Sequence, residues 1–334
     1  MDRLIKPSRR TLIRGAAAVA ALTPAGIVAG RVLAQQNQPK KIKLSWNANA
    51  VCLAPVVVGV QQGIFKRHGI DVELINYSGS TDQLLEAIAT GKADAGVGMA
   101  LRWLKPLEQG FDVKLTAGTH GGCMRVLAPA AKGIARLEDL RGKTIAVSDM
   151  ASPSKNFFSV VLKKRGIDPV TDVQWRQFPA DLLGLAIEKG EAHALADGDP
   201  NAFIQEHKFG LTEIATNLSD EYRDRVCCVL GVRGSLVRED RATAAALTRA
   251  LLESAQVTAH NPEQAAEIFS KYAPASVADL TTMLKSQTHN HNPVGGDLKR
   301  EIVAYTEELK LVSVMKPSTD PAKFADRIFA DVLT

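Results

Sequence analysis

Four of the 334 residues are cysteines: Cys52, Cys123, Cys227 and Cys228. One stretch, GTHGGCMRV from Gly118 to Val126, brings a thiol next to other soft donors, with His120, Cys123 and Met124 close together. Thiolate, thioether and imidazole groups in one place select soft metals, and a reactive thiol also captures thiophilic small molecules. In an oxidising compartment the same thiols would form a disulfide. A plainer reading is packing, because free cysteine is among the most buried residue types. Cys227 and Cys228 are adjacent in RVCCVLGVR, a strand pattern, so they point to opposite faces and at most one of them serves a given site. A second histidine pair, His289 and His291 in THNHN, precedes PVGG and reads as a solvated surface loop rather than a metal site.

The N-terminus bears on which of these chemistries is available. Residues 1–34 read as a signal peptide: Lys6, Arg9, Arg10 and Arg14 precede an apolar run that ends in the small-residue site VLA. The run is too short and too interrupted for a good membrane span. SRRTLIR resembles a twin-arginine signal, with Arg9 and Arg10 as the pair, which implies export in the folded state. No cysteine follows the cleavage site, so the mature protein is expected to be soluble, periplasmic and not lipid-anchored. The leader holds six of the 41 Lys and Arg and one of the 36 Asp and Glu, which leaves a mature chain balanced at 35 of each. The basic character belongs to the leader, and nucleic acid is not an expected partner.

About 300 mature residues suffice for two cores. Strand and helix patterns alternate along them. KIKLSW and IDVELINY read as strands, with a helical LAPVVVGVQQGIF between them. TDQLLEAIATGKADAGVG reads as a helix followed by a buried strand. LRWLKPLEQG reads as a helix broken at Pro106. FDVKLTAGTH, TIAV, VQWRQF, AHALADG and RVCCVLGVR are further strands, and the chain after residue 233 is mostly helical. Such alternation implies parallel sheets with helices on both faces, and ligands of such sheets bind beyond the carboxyl ends of the strands.

APVVVGVQQGIFKRHGIDVELI followed by GSTDQLLEAIATGKADAGVG resembles the solute-binding proteins of nitrate/sulfonate/taurine-type ABC importers, a pattern shared with the thiamine-pyrimidine synthases. LEDLRGKTIAV and ALADGDPNAFI match the same pattern. The resemblance implies an α/β, two-lobed periplasmic-binding-protein fold (type II), with two mostly parallel sheets flanked by helices and a two-strand hinge. Residues 42–122 plus 226–334 would form lobe 1 and 123–225 lobe 2. It also implies partners, a small-molecule ligand and an ABC permease and ATPase complex in the inner membrane, with the binding protein itself a monomer. No cofactor is implied.

On that frame the loops at the strand tips would bring Trp46, Asn47 and Cys52, then Met99 and Ala100, then His120 and Cys123 to the cleft. Ser152, Ser154 and Asp199 would face them from lobe 2, and Cys227 would come from the returning strand. Asn49, Arg102, Trp103, Asp197 and Cys228 lie beside these positions. Lys155 and Arg125 are candidate counter-charges for an anion, each equally able to pair with an acid. Cys52 and Cys123 would be the thiols best placed for a disulfide, and Cys52, His120, Cys123 and Met124 the set for a soft metal. No G-x-S-x-G, H-E-x-x-H, Walker or dinucleotide motif is present, so binding is expected rather than catalysis. An enzyme resembling the thiamine-pyrimidine synthases, a soft-metal-binding periplasmic protein and a ligand sensor for a membrane receptor remain alternatives.

Overall fold

The computed structural model describes residues 38–77 and 81–334, so the expected leader lies outside the described residues. Ten strands are described: β1 (Lys40–Trp46), β2 (Ile70–Asn76), β3 (Ala95–Met99), β4 (Val113–His120), β5 (Met124–Ala128), β6 (Thr144–Val147), β7 (Gln174–Gln177), β8 (Ala194–Gly198), β9 (Thr212–Thr216) and β10 (Cys228–Arg233). They form two five-stranded sheets, ordered β2-β1-β3-β10-β4 and β7-β6-β8-β5-β9.

The helices alternate with the strands as the periodicity requires. α1 (Ala54–Gln61), α2 (Ile64–Arg67), α3 (Thr81–Ala89) and α4 (Ala100–Glu108) belong to the first sheet. α5 (Pro153–Lys164), α6 (Leu183–Glu188) and α7 (Asn201–Phe209) belong to the second. The tail folds as α8 (Gly234–Glu239), α9 (Arg241–His260), α10 (Pro262–Phe269), α11 (Val277–Ser286), α12 (Gly295–Leu311) and α13 (Pro321–Ile328). The expected break at Pro106 does not occur: α4 runs through it to Glu108. The proline stands in the last turn, where only one intrahelical bond is forfeited.

In each sheet four strands point one way and one runs against them. β10 is antiparallel to β3 and β4, and β5 is antiparallel to β8 and β9. Both exceptions are the strands entered from the other lobe. The parallel strands end at the gap between the lobes, so a chain stepping across that gap must start there and run away from it. β4 crosses through residues 121–123 into β5, and β9 returns through 217–227 into β10.

The crossings are tied together. The Asn217 side-chain oxygen accepts hydrogen bonds from the amides of Cys123 (2.9 Å) and Met124 (2.8 Å), and the Asn217 amide donates to Met124 O at 3.1 Å. Tyr305 of α12 donates its hydroxyl to Val226 O at 2.6 Å. Gly122 holds φ +74°, and a Cβ there would meet Leu218 at 1.9 Å, so only glycine passes this point without strain.

Asn217 is 4% exposed. Asn217→Ala is expected to lower unfolding free energy by about 2–4 kcal/mol, because two buried N–H groups lose their acceptor at roughly 1–3 kcal/mol each. Urea denaturation of variant and parent measures this; equal midpoints would refute it.

Candidate functional site

A cavity of about 500 Å³ lies between the two sheets, at the carboxyl ends of their parallel strands. Lobe 1 contributes the loop after β1 (Asn47, Asn49, Cys52), the tip of β3 (Val97, Gly98, Met99) and Arg102 of α4. Cys228 opens β10 beside them, and Cys123 lies in the crossing. Lobe 2 contributes Ser148 and Asp149 after β6, Ser152 and Ser154 at the start of α5, Gln177, and the run Asp197 to Asn201 after β8.

Of the expected residues, Asn47, Cys52, Met99, Cys123, Ser152, Ser154 and Asp199 line this cavity. Trp46, Ala100, His120 and Cys227 are not among its lining residues. Trp46 is 2% exposed and turned into the helical tail, edge-on to Tyr272 with ring centroids 5.2 Å apart. A large apolar ring at a strand end gains more from that burial than from facing water. Ala100 begins α4 inside the core. Trp103 is likewise core, packed so close to Gly98 that a Cβ there would meet its ring at 2.2 Å. Between the adjacent thiols, strand alternation sends Cys228 to the cavity and Cys227 behind the wall. Sequence reasoning does not reach Asn201, Ser148, Asp149 and Gln177; they are ordinary polar loop residues, and only the folding of lobe 2 brings them to one surface.

His120 is fully buried behind the cavity, and His289 lies against it with ring centroids 5.2 Å apart. Within the loop expected to be solvated, His289 is therefore buried, while Asn290 is exposed and His291 half-buried. The loop docks on β4 through Pro293 O, which accepts from the Gly118 amide at 2.8 Å, and through Asn292, which donates to Thr119 O at 2.8 Å.

All four cysteines carry free thiols, and all four are buried. The Cys52–Cys123 disulfide, one of the readings the sequence leaves open, is not formed. The Cys123 and Cys227 thiols, one from each crossing, stand 3.7 Å apart. Donation from the Cys123 and Cys228 thiols holds Cys52 down at about 6, and its bond with Cys123 pushes the Cys227 thiol up.

The cations of the site are already matched. Arg102, 8% exposed, bonds Asp82 through Nε (2.7 Å) and Nη2 (2.5 Å) and reaches across to Asp149 of lobe 2 at 2.8 Å. Arg125 sits among Asp199 (3.1 Å), Glu213 (2.9 Å) and Glu206 (3.6 Å), so it answers to these acids. Lys155 lies over the Trp175 ring at 5.7 Å. Among the described lining residues Arg102 is the one cationic side chain, and it is held by two carboxylates. Asp197 accepts from Asn201 at 2.6 Å and from Ser148 at 3.5 Å, and burial raises its carboxyl to about 6. The start of α5 offers backbone N–H groups, one of which, that of Lys155, is capped by Ser152.

Residues 51–265 match the profile described as NMT1/THI5 like. The chain belongs to the NMT1/THI5-like family. A Brucella abortus (strain 2308) protein named a binding protein is 25% identical over 232 residues, 69% of this chain and 70% of its own length. Among solved structures, the periplasmic aliphatic sulphonate binding protein SsuA of Escherichia coli superposes with TM-score 0.73 at 16% identity, covering 87% of this chain and 98% of that one. The periplasmic nitrate-binding protein NrtA of Synechocystis PCC 6803 superposes with TM-score 0.72 at 14% identity, covering 88% and 87%. The fold of this NMT1/THI5-like chain is thus the two-lobed periplasmic-binding-protein fold, and the two structural relatives are binding proteins rather than enzymes. Among the described residues no helix is long and apolar enough to cross a membrane.

Two outcomes test the site's electrostatics and thiol geometry. Asp197 has its folded pKa, about 6, above the ordinary value of 3.8. Folding is therefore penalised above about 6, and stability returns as pH falls from 6 towards 4. Asp197→Asn should be more stable than the parent by about 1 kcal/mol at pH 7.5, a figure discounted for the group's partial access to water, and in thermal melts the gap should narrow as pH falls below about 6 and close only below the ordinary value of 3.8. A gap that widens on acidification would contradict this. Diamide, which removes two electrons and two protons from a thiol pair, should link Cys123 to Cys227 in preference to Cys52 in a non-reducing peptide map. A predominant Cys52–Cys123 link would overturn the assigned geometry.

Proposed function

We propose that this protein is the extracytoplasmic solute-binding component of an ABC importer, and that its solute is a neutral or cationic small organic molecule. One observation carries the proposal. A cavity built from both lobes at the strand tips has an acidic wall, and its single cationic lining side chain is already committed to acids. A cavity near 500 Å³ falls within the roughly 300–1,000 Å³ typical of small-molecule sites.

An anion entering this cavity would need charge-assisted donors. Arg102 is held by Asp82 and Asp149, and Arg125 by three carboxylates. Freeing Arg125 would leave the buried Asp199 uncompensated, which costs several kcal/mol, and freeing Arg102 would break its pairs with both Asp82 and Asp149. A solute carrying N–H or O–H donors instead meets Asp197, Asn47, Asn49 and Asn201 without breaking a pair, while Met99, Val97 and the thiols cover its apolar part. The relatives' sulphonate and nitrate are therefore not carried over to this chain.

In this reading residues 42–122 plus 226–334 swing against 123–225 about the two crossings, with Arg102–Asp149 fastening the lobes over the ligand. The ligand shifts the equilibrium between open and fastened forms, and a membrane permease with its ATPase recognises the fastened one. The leader would deliver the protein to the periplasm in a folded state.

Thermal-shift and native mass-spectrometric screening of the mature protein tests this, with amines, amides and nitrogen heterocycles on one side and sulfonates and nitrate on the other. The first group should contain a compound that raises Tm by several degrees and contracts the radius of gyration in X-ray scattering; the sulfonates and nitrate should do neither. Stabilisation by sulfonates or nitrate alone would refute the solute class. A silent panel together with scattering curves that never change would refute the binding function.

A further inference from the structure

We propose that Cys52, His120 and Cys228 form a site for a zinc-class divalent ion, with one coordination position open to the cavity between the lobes. Their donor atoms, two Sγ and a ring nitrogen, lie within 4.8 Å of one another. Donors around a tetrahedral zinc ion stand roughly 3.5–3.8 Å apart, given its Zn–S and Zn–N lengths. A shift of about 1 Å, within reach of thiol rotation, closes the trio.

Three features point to a ligand rather than to packing. The first is the histidine. His120 is 0% exposed, and neither of its ring nitrogens has a hydrogen-bond partner. Buried polar groups in native proteins are almost always paired, so a buried ring nitrogen that makes no hydrogen bond and lies beside two thiols points to an ion. The second is the scaffold. The donors come from three elements held rigid by backbone pairing: the turn Val51–Leu53 after β1, the end of β4 and the start of β10. His120 and Cys228 are register partners on adjacent strands, and the Cys227 amide donates to His120 O at 2.8 Å. The third is access. Cys52 and Cys228 line the cavity while His120 stands behind it, so an ion held by all three sits in the cavity floor with its fourth position facing the solute.

The charge argument selects the ion. Two thiolates and a neutral imidazole carry −2. In a buried site a dication brings the total to zero, whereas a monovalent soft ion would leave an uncompensated charge. A metal-bound imidazole donates its other N–H to a nearby acceptor. His289 is at hand for that, fully buried against His120 and itself without a partner at either nitrogen.

The test uses the mature protein, reduced with a phosphine, stripped with chelator and kept anaerobic. Titration with Co²⁺ should give a thiolate-to-cobalt charge-transfer band that saturates at one equivalent, and one equivalent of Zn²⁺ should displace it. Cys52→Ser, Cys228→Ser and His120→Gln should each weaken Co²⁺ binding about tenfold or more. Cys227→Ser, with the thiol next to Cys228 in the chain removed, should keep the band and the stoichiometry. Circular-dichroism melts accompany every variant, and the two serine variants decide the matter if His120→Gln does not fold. Imidazole or a small thiol should alter the band by entering the open position. No band at one equivalent overturns the site. A band that survives Cys52→Ser and Cys228→Ser but is lost in Cys123→Ser or Cys227→Ser also overturns it. A band indifferent to added imidazole and thiol overturns the open position.

Discussion

The chain crosses between its two sheets twice, and both crossings must pass through nearly the same place. Parallel strands of both lobes end at the gap. A segment that steps across starts at that gap and runs away from it, which makes β5 and β10 the antiparallel members of their sheets. Asn217 at the start of the return crossing satisfies the amides of Cys123 and Met124 at the end of the outgoing one. The hydrogen-bond needs of the two crossings, which are buried at this contact, are thus met by each other, and the crossings become one structural unit. The cavity opens beside it because the strand tips converge there.

That convergence also explains the thiols. Cys123 belongs to one crossing, Cys227 to the other, Cys228 begins the strand that follows, and Cys52 lies in the turn after β1 of the same sheet. Residues far apart in the chain meet because four strand ends do. A thiol is a small, weakly polar group that tolerates burial, and the gathering creates donor density without a polar network to stabilise it. His120 and His289, drawn into the same region by the loop docked on β4, bring basic nitrogens with no hydrogen-bond partner. The region therefore combines a hinge, a cavity floor and a set of soft donors.

The electrostatics follow from a different constraint. Arg102 and Arg125 are partly desolvated, and each has more than one acid beside it. Once so paired they belong to the frame: Arg102 joins the lobes through Asp149, and Arg125 braces β5 against the loop after β8. The cavity keeps the surplus of carboxylates, and its preference among solutes follows from that surplus rather than from the solutes of its structural relatives.

Much of the architecture could be read along the chain. Alternating periodicities, the breaks at turn residues and the superfamily pattern before Gly98 define the order of strands and helices, because these depend on local sterics and on which face of each element is apolar. The loops that reach the cavity could be anticipated as well, since they follow the parallel strands. Which side chain of a loop faces inward could not. Trp46 turns into the core and Cys228 replaces Cys227 at the wall because each choice depends on the packing of a partner element far away in the chain. His289 looks like loop polarity in a sequence and becomes a buried ring only when the segment 288–293 docks on β4. Periodicity records the local free energy of a segment, whereas a site is settled by long-range contacts whose partners the segment itself does not contain.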